Sequence, residues 1–303
     1  MDRLDDTDLA AYTAARTDVA VYAVDRDVVV VSGPDALDYL HGQVTQDVTD
    51  MAIGESRWSF LLQPQGKVEA FFRLTRTGAE ECVADVDGGW GEALRESIER
   101  FKLRTKFQVE PLEWRMLSIR GPRSMEISES ARGHELVLPA GGGLAGVDLL
   151  GPDPTVDTVP VLGPPAWEAL RVESGLPTMG AELDGSTIPN ETGLLEVAVS
   201  FSKGCYRGQE LVERIHSRGG RRQVLVGLVA DPGQEMAAGD ELRRPGEDKI
   251  VGRITSAVWS PLVGAPAGLA YVRGELEPGQ EVSVGATATS AVVHQLPLKD
   301  GTA

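Results

Sequence analysis

Cysteine and histidine are scarce in this chain, with two and four copies in 303 residues. They form no metal-ligand spacing, and two cysteines cannot by themselves hold a four-thiolate iron–sulfur cluster. Basic side chains are also in deficit: 29 Lys and Arg face 46 Asp and Glu, a net charge of −17. That balance opposes tight, sequence-independent binding to nucleic acid, which depends on neutralising phosphates. No apolar run approaches the ~20 residues that span a bilayer. The acidic start, Met1 to Asp8, lacks the basic and apolar regions of a secretory signal. A cytoplasmic protein with reduced thiols is expected, with a Cys82–Cys205 disulfide as the alternative.

What is present is a chain long enough for two or three domains, with ordinary hydrophobic content. The pattern reads as α+β. Val19 to Val24 and Val28 to Val31 predict a hairpin turned at Asp25-Arg26-Asp27. Gly33-Pro34 opens a helix with Leu37 and Leu40 on its inner face. Trp58 to Leu62 and Val68 to Leu74 predict a second hairpin around Pro64 to Lys67. Trp90, Leu94 and Ile98 recur at helical spacing before a strand at Phe107 to Leu112. Met116 to Ile119 begins a second α+β half, so residues 1–222 divide near 112–120. The Gly- and Pro-rich stretch Pro139 to Pro165 predicts a loop, and Ala166 to Ser174 a helix stopped by Gly175. After Arg222 short strand candidates broken by Gly and Pro predict a small antiparallel barrel or sandwich over 223–303.

The octapeptide Lys203-Gly-Cys-Tyr-Arg-Gly-Gln-Glu210 concentrates the chemistry. Cations lower a thiol's pKa, and Lys203 and Arg207 flank Cys205 two residues either side. Gly204 and Gly208 let backbone approach closely. Arg207 to His216 predicts a helix, which puts Cys205 near a helix start that also favours a thiolate. An inert, buried cysteine at a strand-to-helix turn fits the same residues. His216 is a conceivable but remote partner for the thiol, and His41, His134 and His294 stand in no motif. Arg100, Lys102, Arg104 and Lys106 form one basic group, and Arg214, Arg218, Arg221 and Arg222 another. They read as solvated helix ends or as an attractor for an anion.

The octapeptide, together with Arg171 to Gly180 and Pro189-Asn190-Glu191, resembles the YgfZ family of folate-binding proteins, relatives of the glycine cleavage T-protein. The likeness extends over Gly33 to Val48, Trp58 to Leu74, Phe101 to Lys106, and Val251 to Ser256 through Ser260-Pro261. It implies a T-protein-like ring of interlocked α+β modules with a C-terminal β-barrel, and a tetrahydrofolate in the central channel. Glu191 matches the position of a glutamate that would receive the pterin edge; a plain helix-start carboxylate is the alternative. Lys203, Tyr206, Gln209 and Arg222 are the further expected folate contacts, with Gln209 equally suited to capping a helix. Trp58, Phe60 and Phe72 are expected at a pterin pocket or in the core. Where the T-protein carries an acidic pair, this chain has Glu69-Ala70, which argues against aminomethyl transfer. The resemblance therefore implies a folate-dependent accessory protein for iron–sulfur cluster assembly or repair. Its expected partners are iron–sulfur enzymes, tRNA-modifying ones among them, and Cys205 is the functional thiol. A tetrahydrofolate-dependent aminomethyltransferase or demethylase is the alternative activity, and a folate-binding module without chemistry at Cys205 the third.

Overall fold

A computed structural model describes residues 2–141, 145–285 and 289–299. Helix α1 (Asp6–Thr17), capped by the Asp5 carboxylate accepting from the Asp8 amide, precedes β1 (Ala20–Val24) and β2 (Arg26–Ser32). Then follow α2 (Ala36–Gln43), β3 (Ser56–Leu62), β4 (Val68–Gly78), β5 (Glu81–Asp87), α3 (Gly91–Glu99) and β6 (Gln108–Leu112). The second half holds β7 (Arg115–Arg120), α4 (Ser124–Ser128), β8 (Leu136–Pro139), β9 (Gly146–Gly151) and α5 (Pro164–Ser174). A 3₁₀ turn (Pro189–Glu191), α6 (Leu195–Ala198) and α7 (Gln209–Arg218) lead to the barrel strands. These are β10 (Gln223–Ala230), β11 (Glu241–Arg243), β12 (Ile250–Ser260), β13 (Ala265–Arg273), β14 (Glu281–Val284) and β15 (Thr289–His294).

Two antiparallel sheets make the first part, in the orders β3-β4-β5-β2-β6 and β1-β7-β9-β8. The hairpin expected from Val19 to Val31 does not form. β1 pairs with β7, placing Val21 opposite Ile119, whereas β2 lies between β5 and β6. The reason is the valine run itself. A hairpin with one wet face needs alternation, but Val28, Val29 and Val31 are all buried. Val29 and Val31 pack under α2 and α3, while Val28 faces Met116, Leu138 and Leu150 of the second sheet. The chain therefore leaves one sheet for the other at Asp25, and crosses again between β6 and β7. These two crossings interlock the sheets.

The stretch expected to be loop holds β9, whose Val147 to Leu150 are buried at the middle of the second sheet. Its glycines and prolines flank the strand rather than interrupt it. The Trp58–Leu74 hairpin, the α2 and α3 helices and the α5 stop at left-handed Gly175 are where the pattern placed them.

Charge fills the seam between the sheets. Arg73 on β4, 1% exposed, donates to Asp85 at 2.9 Å and to Asp148 on β9 at 2.8 Å. Asp148 also accepts from Ser118 at 2.7 Å and pairs with buried Arg120 at 3.4 Å. Arg26 joins through Asp85 and Asp87.

The last six strands close into a barrel, β10-β13-β12-β11-β14-β15, filled by Leu228, Leu242, Ile254, Val272, Val282 and their neighbours. Helix α5 lies on its outer face. Arg171 donates to Ser256 at 2.6 Å, and Ser256 and Ser260 donate to Glu182 and Glu173, each at 2.6 Å. Glu173 also accepts from Tyr12 of α1 at 2.7 Å, and burial pushes its carboxyl above the usual range. Two of the stretches that carry the family likeness, around Arg171 and around Ser256, thus clamp helix to barrel.

Candidate functional site

A cavity of about 990 Å³ opens where both sheets and the barrel meet. That is at the upper end of the ~300–1,000 Å³ typical of small-molecule sites. β3 and β4 supply Trp58 and Phe71, stacked with centroids 4.9 Å apart. Arg73 of the ionic seam lies behind this aromatic wall, 5.3 Å from the Trp58 ring centroid. Gly141 faces the same indole so closely that a Cβ there would meet it at 3.0 Å. Leu176 follows α5, Thr192 to Leu194 follow the 3₁₀ turn, and Val224, Leu276 and Gln295 to Pro297 come from the barrel side. The apolar, flat-walled portion suits a heterocycle, and Arg221 at the rim offers a charge.

Glu191 is 3% exposed and immediately precedes the wall residue Thr192. Its carboxylate turns toward the barrel, where Gln223 Nε2 donates to it at 3.2 Å. Burial raises its pKa, and the Gln223 side chain and the facing backbone amides only partly offset that. Asn190 Nδ2 donates to the Val212 carbonyl at 3.2 Å, tying the turn to α7, while its buried Oδ1 has no partner. Arg222 is exposed beside Glu191. Of the aromatic residues expected at a pterin pocket, Trp58 lines the cavity. Phe60 and Phe72 do not: both are fully buried in the core, and Phe71 takes the wall position. Neighbouring strand residues face opposite ways, so Phe71 and Phe72 cannot share a face.

The octapeptide is a pedestal. Lys203 places its ammonium on the carbonyls of His41, Val44 and Gln46 at 2.5, 2.7 and 2.9 Å, gripping the end of α2. All three donors are used, and burial lowers its pKa to about 8 despite nearby Asp47. Arg207 donates to Glu69 at 2.8 Å and to the Ser97 hydroxyl at 2.8 Å, gripping β4 and α3. Tyr206 is buried against Phe60, Phe71 and Val212, and its amide donates to Gln209 Oε1 at 2.9 Å. Gln209 thus ties the loop before α7 to the helix start, and α7 itself has no side-chain cap. Gly208 is left-handed, and a Cβ there would meet the Gln63 carbonyl at 2.5 Å, so the loop seats directly on the β3–β4 turn. What remains is Gly204 and Cys205, both exposed at the tip, and Glu210, exposed in the first turn of α7.

This geometry corrects several expectations. Lys203 and Gln209 are occupied by the fold and Tyr206 is buried in it, so none of the three is poised as a folate contact. Neither flanking cation is free to sit beside the thiol, because both guanidinium and ammonium are spent on other elements. Cys205 also lies four residues before α7 begins, outside its first turn. Cys205 and Cys82 are both free; Cys82 is buried in the first sheet, where burial pushes its thiol up to about 12. His216 is exposed and stacks on Phe201 at 3.8 Å. Glu69 bridges Arg207 and Arg100, both at 2.8 Å, and so braces the pedestal. Among the described residues no His, Cys, Asp and Glu cluster is arranged to hold a metal ion. No described helix is long and apolar enough to cross a membrane.

The sequence reading missed Arg73, Asp148, Phe71 and the wall at Gln295 to Pro297. Arg73 had a signal: a lone charge inside the apolar run Ala70-Phe-Phe-Arg-Leu74 implies a buried partner.

Comparison with known proteins agrees with this architecture. Residues 223–300 match the family described as the glycine cleavage T-protein C-terminal barrel domain. The chain is 28% identical over 234 residues to the tRNA-modifying protein YgfZ of Pectobacterium carotovorum, covering 69% of this chain and 70% of that one. It is 28% identical over 266 residues to a mitochondrial iron–sulfur cluster assembly factor IBA57 homolog of Chaetomium globosum, covering 73% and 58%. The crystal structure of the glycine cleavage system aminomethyltransferase T from Bartonella henselae superimposes with a TM-score of 0.82 at 21% identity, over 95% of this chain and 88% of that one. In its sheets and barrel the chain has the fold of the T-protein, and in sequence it is similar to YgfZ and IBA57 proteins.

Proposed function

We propose that this protein binds a reduced folate in the central cavity and serves the assembly or repair of iron–sulfur proteins in the cytoplasm, with Cys205 as its working thiol. The cavity at the three-way junction carries the reading, because a stacked aromatic wall and a cationic rim line it and the buried Glu191 carboxylate stands one residue behind its wall at Thr192. The residues fit the ligand class. Gln223 presents an amide N–H₂ to Glu191, which is the donor type an aminopyrimidine edge would present. A pterin therefore exchanges places with the Gln223 carboxamide on a carboxylate already held in position. The chain's own contribution is binding and orientation: Trp58 and Phe71 cover the ring faces and Glu191 fixes the polar edge.

Two relatives carry names that speak of iron–sulfur assembly and of tRNA modification. Both activities are reconciled if the clients are iron–sulfur enzymes, some of which modify tRNA. A thiol held out on a braced loop suits transient contact with such a client. Aminomethyl transfer is the weaker reading, because Glu69 is committed to Arg100 and Arg207, and Ala70 supplies no acid.

Titration calorimetry with 5-formyltetrahydrofolate tests the cavity. Glu191→Gln turns one acceptor into a donor and leaves a buried polar group unpaired, which costs roughly 1–3 kcal/mol, or about five- to 150-fold in affinity. Equal affinity of wild type and variant removes Glu191 from the site. Complementation of a deletion strain tests the client role: wild type should restore iron–sulfur enzyme activity and Cys205→Ser should not.

A further inference from the structure

The cavity continues beyond its rim. Arg221 and Gly274 belong to its wall and also to a second, open groove of about 720 Å³ on the outside of the barrel. Arg222, Arg253 and Arg273 line this groove as well. Adjacent strands bring them together: Arg222 immediately precedes β10, Arg273 ends β13 opposite Gln223, and Arg253 stands on β12 opposite Tyr271. All four guanidiniums are on exposed residues.

Their charge is poorly neutralised by the protein. Glu275 is the one carboxylate among the described lining residues, and it leans to Arg244 at 3.6 Å. Arg253 has only a long contact to Glu241, at 3.8 Å, and Arg273 spends its Nε on the Ile250 carbonyl at 3.3 Å. A neighbouring groove on the same barrel interleaves its arginines with carboxylates, as in the Arg243–Glu241 pair at 2.5 Å. In a chain of net charge −17, a run of four arginines along one groove is a local field of the opposite sign. It begins at the mouth of the cavity, so it suits an anion attached to whatever the cavity holds.

We propose that the groove receives the poly-γ-glutamyl tail of the folate, and that the ligand of this protein is a polyglutamylated rather than a monoglutamyl folate. The inference rests on the folate reading above. Each added γ-glutamyl residue carries a further carboxylate, and guanidinium is the cation best matched to carboxylate geometry.

The test compares 5-formyltetrahydrofolate as the monoglutamate and the pentaglutamate, by calorimetry on the full chain. Exposed ion pairs contribute little singly, about 1.4- to fivefold each, so several together should favour the pentaglutamate by roughly tenfold or more at low salt. That preference should shrink as salt is raised. Arg253→Ser/Arg273→Ser, two groove residues outside the cavity wall, should lower pentaglutamate affinity toward the monoglutamate value and leave monoglutamate binding unchanged. Wild-type protein that binds both forms alike overturns the tail site while keeping the folate cavity. Protein that binds neither overturns both. Arginine substitutions that weaken tRNA binding, with the two folates bound alike, assign the groove to nucleic acid and overturn the proposal.

Discussion

Arg73 and Leu228 are buried to the same degree, 1% and 0% exposed, in surroundings of opposite character. Arg73 sits in a seam of carboxylates and guanidiniums between two sheets. Leu228 sits in a barrel interior made of Val, Leu, Ile, Ala and Met. The barrel needs no directional contacts in its core, since closure of its hydrogen-bonded ring already sets each strand's neighbours. The two sheets exchange strands and then stack, and hydrocarbon alone would let them slide. Our hypothesis is that the ionic seam fixes how they stack, a specificity role available to buried charge pairs.

Isosteric substitutions separate the two materials. Asp148→Asn keeps volume but leaves Arg120 without its one ion-pair partner among the described residues and Arg73 with one fewer. The expected loss is about 3–5 kcal/mol in urea unfolding; a loss below about 1 kcal/mol would refute the seam's importance. Leu228→Met, equally conservative in volume, should cost less than about 1.5 kcal/mol. Leu228→Ala, which leaves a cavity, should cost about 2–5 kcal/mol.

Acid sharpens the contrast. Burial pushes the Asp148 carboxyl up, but Arg120 and Arg73, with a hydrogen bond from Ser118, hold it below the usual range. A depressed folded pKa means the stabilisation is present above the unfolded value of about 3.9 and is lost as pH falls through the folded value. Urea midpoints of the wild type and Asp148→Asn should therefore converge as pH drops below about 4. Midpoints that stay equally far apart down to the acid limit would show that the charge is not the source of the effect.

The smallest expected change in stability is at Cys205. Exposed on its pedestal, it should tolerate serine within about ±0.5 kcal/mol. Iodoacetamide at neutral pH should label Cys205 and spare Cys82, which is buried with its thiol pushed up to about 12. Faster labelling of Cys82, mapped by mass spectrometry, would contradict the placement of both.

How much of this was legible in the sequence depended on the range of the contacts involved. The β3–β4 hairpin, α2, α3 and the α7 helix are local, and periodicity with turn residues revealed them. The destination of β1 was not local: its partner β7 lies about a hundred positions away in sequence, and only double-sided burial of the Val28–Val31 run hinted that β2 was central. β9 was hidden because its flanking glycines and prolines dominated a window longer than the strand. At the site, the octapeptide was recognisable, but its meaning inverted. Charges flanking a cysteine in sequence suggested an activated thiol, yet Lys203 and Arg207 reach back to α2, α3 and β4. Side-chain direction is a tertiary property, and no spacing rule reports it.

The cavity wall draws on Trp58 near one end of the chain and on Pro297 near the other. A nascent chain that has not yet delivered Gln295 to Pro297 has no complete chamber, whatever the state of its earlier sheets. A ligand at a hundred times its dissociation constant would add about 2.7 kcal/mol to a chain that holds these residues in place and little to any shorter intermediate. Supply of that ligand would in that case set how many copies survive in the cell, with degradation removing those that never filled.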